Sequence, residues 1–153
     1  MKHLKLILAA LALSVASLHA AAKLNLDDKG LALQGYDPVA YINPGKAVLG
    51  DPKLSATAGV ATYYFSSDAN LKAFKKNPAA YTPAYGGWCA YAMANGDYVD
   101  VDPKTFKVLS GTAHLFYNGF LGNTLKKWNK DEAKLKASAD IQWKKLQAAP
   151  ESH

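Results

Sequence analysis

The chain has no arginine. All eighteen of its basic residues are lysine, set against twelve acidic ones. Without guanidinium forks there is no bidentate grip on phosphate or guanine, and lysines spread along the chain read as a solvated surface, so no nucleic-acid partner is expected. A single cysteine, Cys89, allows no internal disulfide, and the fold must stand on its apolar core. Histidine is scarce as well: beyond the first twenty residues only His114 and His153 occur. The longest apolar run, Leu6 to Leu18, falls short of the roughly 20 residues a membrane span needs. It follows the basic start "MKHLK" and leads into Ala20 and Ala22, the small-x-small pattern of a cleavage site. These features predict a signal peptide over residues 1–22, a mature chain from Lys23, export, and no stable membrane anchor.

Residues 23–153 read as a single domain, with no internal repeat, low-complexity tract or linker. The stretch from about Leu31 to Phe65 looks β-like: "GYDPVAYI" turns at Asp37–Pro38, "KAVLG" follows, and Gly59 splits two alternating runs into a hairpin. Ser66, Ser67 and Asp68 are helix-capping residues, and Pro78 ends the helix they open. "WCAYAMANG" reads as a short helix closed by Gly96. "DYVDVDP", "FKVLSG" and "AHLFYN" are short strand candidates with Gly111 in a turn. Helical spacing of Leu125, Trp128, Leu135, Ala139, Trp143 and Leu146 predicts a helical C-terminal segment over 119–147, cornered near Lys130. The class is α+β, a small antiparallel sheet with flanking helices.

"GYDPVAY", "YYFSSDANLKAFKKNPAAYTPAYGGWCAYA" and the "DP…F.V..G" spacing occur in order over about residues 31–128. This pattern resembles the YHS domain, and within it the exported single-domain branch found in bacteria, which implies a periplasmic location. Metal-handling members of that family resemble "DPVCGM" followed by "FCS..C...F..NP..Y". On this chain their three cysteine positions fall on Ala40, Ser66 and Asn70, none of which supplies a thiolate. The family's metal role is therefore not carried over, while Asp37, Pro38, Phe65, Phe74, Asn77, Pro78 and Tyr81 keep the scaffold pattern.

Other chemistry centres on the glycine- and ring-rich stretch around Cys89. Tyr36, Tyr85, Trp88, Cys89, Tyr91 and His114 form the candidate ligand pocket, since a tyrosine-rich concavity binds flat or apolar molecules and orients them with its hydroxyls. Free cysteine in such surroundings is expected to be a buried packing residue. The leading expectation is a non-catalytic binding or accessory module for an unknown small molecule or protein, with no metal and no cofactor. A second reading holds copper or haem on Cys89, Met93 or His114. A third makes Cys89 a nucleophile with His114 as its base.

Overall fold

The computed structural model describes residues 22–149, so the signal peptide expected over 1–22 lies outside them apart from Ala22. Two hairpin units follow one another. The first begins at a tight turn, Leu33–Gly35, and runs through Tyr36 and Asp37 into helix α1 (Pro38–Ile42). Strand β1 (Asp51–Ala58) then pairs antiparallel with β2 (Ala61–Phe65), and helix α2 (Asp68–Lys76) follows. The second unit begins at a turn over Tyr85–Gly87 and runs through Trp88 and Cys89 into α3 (Ala90–Met93). Here β3 (Asp102–Leu109) pairs antiparallel with β4 (Thr112–Phe116). A short ribbon of β5 (Asn118–Gly119) and β6 (Gly122–Asn123) precedes α4 (Thr124–Trp128) and the long α5 (Glu132–Ala148).

The units match in detail. Asp51 pairs with Phe65 and Ala58 with Ala61; 51 positions on (Asp51 to Asp102), Asp102 pairs with Phe116 and Leu109 with Thr112. Each register slips just after its aspartate, whose Oδ1 accepts the N–H two residues on: Lys53 at 2.9 Å, Lys104 at 3.0 Å. The opening turns agree too, with φ of 58°, 52° and 83° at Leu33–Gly35 and 54°, 61° and 85° at Tyr85–Gly87. The expectation of no internal repeat is thereby corrected. Only Asp, Pro, Lys and Phe are identical between the two hairpins (Asp51/Asp102, Pro52/Pro103, Lys53/Lys104, Phe65/Phe116), too few for self-similarity to stand out.

The class is α+β, with five α-helices and three two-stranded antiparallel ribbons among the described residues rather than one sheet. "DPVAYI" is not β-like but helical, because Asp37 Oδ1 accepts the N–H groups of Val39 and Ala40 and Pro38 occupies the first helical position. "KAVLG" contributes only a lone bridge between Leu49 and Tyr36, and residues 97–101 form a loop before β3. Residues 119–123 belong to the β5–β6 ribbon, so helix begins at Thr124, capped by Asn123. The hairpin around Gly59, the helix from Ser67 to Pro78, and the corner between Trp128 and Glu132 lie where the sequence placed them.

Two core clusters hold these pieces. Ala32, Leu33, Val39, Tyr41, Phe65 and Phe74 of the first unit pack with Cys89, Ala92, Val101, Ala113 and Leu115 of the second. Tyr85, Ala90, Met93, Phe116 and Trp128 form the other cluster and receive Ala139 of α5. No helix among the described residues is long and apolar enough to cross a membrane.

Candidate functional site

A cleft of about 570 Å³ opens between the two units and α5. Both hairpins and both opening turns contribute to it. Its apolar walls include Leu24, Leu26, Leu33, Leu109 and Trp143, and its polar groups include Tyr63, His114, Lys136 and Asp140. Among the described residues the non-glycine positions with positive φ are Leu33, Gln34, Tyr85 and Ser110; three of the four line this cleft. Such conformations cost energy for residues with a Cβ and gather where a site needs a particular backbone path.

His114 stands on β4 with 3% of its surface exposed, and Tyr63 on β2 with 5%. Nδ1 of His114 lies 3.0 Å from the carbonyl oxygen of Thr112, which can only accept, so this nitrogen carries the proton. Nε2 is left with a lone pair. Neither Nε2 nor the Tyr63 hydroxyl bonds to the protein among the described residues, and neither is sealed from solvent. Burial pushes the His114 pKa below its ordinary 6.5, which keeps the ring neutral, and burial also raises that of Tyr63. The ring of Tyr85 stands edge-on to His114 with centroids 5.5 Å apart. Its hydroxyl donates to Asp140 Oδ1 at 2.7 Å, while Lys136 Nζ donates to Asp140 Oδ2 at 2.7 Å. Burial pushes the Asp140 carboxyl up, but the bonds from Lys136 and Tyr85 outweigh it and hold the pKa below its usual value.

Of the six residues expected to form a pocket, the fold brings Tyr85 and His114 into the cleft and sends the other four elsewhere. Tyr36 bridges to Leu49 and packs on the first core cluster. Trp88 donates its Nε1–H to the carbonyl of Lys23 at 2.8 Å and lies 5.2 Å from the ring of Tyr98. Tyr91 sits under the Lys127 ammonium. Cys89 is fully buried. Its sulfur accepts the Tyr117 N–H at 3.4 Å and lies 3.4 Å from Thr124 Oγ1, whose own proton goes to the Tyr117 carbonyl. A protonated thiol satisfies this ring of contacts by donating to Thr124. Met93 packs in the second cluster and Cys89 in the first. Among the described residues no group of three His, Cys, Asp or Glu gathers to hold a metal.

Tyr63, Lys136, Asp140 and Trp143 lie outside the six-residue pocket expected from the sequence. They come from a strand and a helix far apart in the chain, and only the matching of Tyr63 to His114 between the two hairpins would have paired them.

The three positions on which the resemblance would place cysteines also come together. Ala40, Ser66 and Asn70 surround the fully buried Asp37, through the Ala40 N–H at 3.3 Å, the Ser66 N–H at 2.8 Å and Oγ at 2.6 Å, and Asn70 Nδ2 at 2.7 Å. Comparison of the chain with known proteins finds no matching family model, curated protein or solved structure.

Proposed function

We propose that the chain is an exported, non-catalytic binding module of the YHS type whose ligand is a small molecule held in the cleft between the hairpin units. One observation carries this reading: Tyr63 and His114 stand at equivalent places in the two hairpins, both line the cleft, and among the described residues neither the Tyr63 hydroxyl nor His114 Nε2 bonds to the protein, while both stay open to solvent. An acceptor and a hydroxyl on the walls of an otherwise largely apolar cleft give a guest two polar groups by which to be oriented. The cleft is of ligand size, and left-handed residues shape its walls. The satisfied thiol of Cys89 favours packing over catalysis. Convergence of Ala40, Ser66 and Asn70 on one buried point supports the YHS resemblance, and the cleavage pattern before Lys23 supports export to the periplasm.

Native mass spectrometry of protein purified from the exporting cell tests the proposal. The expected result is a chain starting near Lys23 with a small molecule attached. Ala58→Phe, which fills the cleft from the end of β1, should fold and lose that added mass. Bare protein from the native compartment, or mass retained by the filled variant, would count against a ligand in the cleft.

A further inference from the structure

The two sides of the cleft are built from equivalent residues. Leu33 and Tyr85 open the two left-handed turns, Ala58 and Leu109 end the first strands, and Tyr63 and His114 hold one place in β2 and β4. Each unit thus supplies one cleft-lining side chain with a polar atom that no group among the described residues bonds and that solvent reaches, but the two have diverged in chemistry. His114 offers an acceptor, because its proton is committed to Thr112. Tyr63 offers a hydroxyl, which donates.

Charge on the walls cancels locally. Lys136 and Asp140 pair at 2.7 Å, and the second oxygen of Asp140 takes the Tyr85 hydroxyl. Glu132, at the start of α5, is engaged by Lys107 and Trp128. A charged guest would shed its water without finding a free counter-charge, whereas a neutral one can be matched by the uncharged polar groups of the walls, among them Tyr63 and His114. The apolar walls supply the rest of the contact area, and about 570 Å³ exceeds the needs of a single ring.

We infer that the cleft takes an uncharged ring compound that donates a hydrogen bond to Nε2 of His114 and accepts one from the hydroxyl of Tyr63, as a lactam-type heterocycle with N–H and C=O groups does. This rests on the cleft being the binding site. The test is an NMR titration of the mature protein with 2-quinolone, N-methyl-2-quinolone and 2-naphthoate, which have similar bulk but differ in donor and charge. 2-Quinolone should shift the signals of His114 and Tyr63. N-methylation should weaken binding about tenfold, Tyr63→Phe should weaken 2-quinolone several-fold, and 2-naphthoate should bind about tenfold less tightly. The methylated probe needs no variant, so the outcome does not hang on folding of a mutant. Equal binding of the two quinolones overturns the donor–acceptor assignment, and a preference for 2-naphthoate overturns the neutral class. Silence from all three probes overturns the inference, while the cleft reading stands or falls separately on the added mass of the native protein.

Discussion

Asp37 has no exposed surface and, among the described residues, no ion-pair partner; five neutral donors hold its two oxygens. Its two oxygens divide the work. Oδ1 caps α1 through Val39 and Ala40, while Oδ2 gathers the Ser66 N–H, the Ser66 hydroxyl and the Asn70 amide. One side chain therefore ties the end of β2 and the start of α2 to the turn before α1. In the second unit Cys89 occupies the matching cap position, and the N–H of Tyr117, which follows β4 as Ser66 follows β2, donates to its sulfur. Asp37→Asn separates the two jobs, since the amide oxygen can still cap α1 but the amide nitrogen faces other donors. Orphaning those donors should cost about 2 kcal/mol or more. Urea unfolding of the purified variant measures it; an unchanged midpoint would show that Oδ2 contributes nothing.

At the scale of elements, α5 is fastened mainly by partly buried side chains, Leu135, Trp143 and Leu146, and by bonds to Glu132 and Asp140. Ala139 is its only fully buried residue, and Trp143 reaches the left-handed turn at Gly86. A Cβ on Gly86 would stand 2.8 Å from Trp143 Cη2 and 3.0 Å from Leu24 Cδ2, at φ +61°. Gly87 is also left-handed, at +85°, but a Cβ there meets nothing closer than 3.6 Å. Alanine at Gly87 should cost about 1 kcal/mol, the conformational penalty alone, whereas alanine at Gly86 should cost about 2 kcal/mol. Hydrogen exchange should then quicken across α5 in the Gly86 variant only; equal effects at the two glycines would mean that Trp143 does not dock the helix. Local signals made much of this layout readable in the sequence. Ser67 and Pro78 bound α2, and the break at Asp131 and Glu132 separates α4 from α5 because two charged residues interrupt the apolar stripe. Asp37–Pro38 was misread because a capping aspartate before proline opens a helix as readily as a turn. Only part of the cleft was legible: Tyr85 and His114 advertise themselves by type, but nothing local marks Tyr63, Lys136 or Asp140 as their neighbours.

For the whole molecule the question is whether two like units fold as two. Their construction argues for one. The first core cluster draws Cys89, Ala92, Val101, Ala113 and Leu115 from the second unit into contact with Val39, Tyr41, Phe65 and Phe74 of the first. Tyr41 on α1 donates its hydroxyl to the carbonyl of Pro103 at 2.7 Å, and its ring meets Phe106 edge-on at 4.8 Å. Tyr41 is buried, so a hydroxyl that left the Pro103 carbonyl would be a stranded polar group in the core. Separating the units exposes that shared cluster on both sides, a loss that neither remaining half offsets. The second unit does hold a cluster of its own with α5, which is where independence would show. All three tryptophans, Trp88, Trp128 and Trp143, lie in the second unit or α5, so their fluorescence reports that part, whereas far-ultraviolet circular dichroism reports both. Urea unfolding followed by the two signals should give coincident midpoints and a single transition. A tryptophan transition at higher urea than the loss of secondary structure would mean that the second unit and α5 survive alone, and that the cleft between the units opens before the protein unfolds.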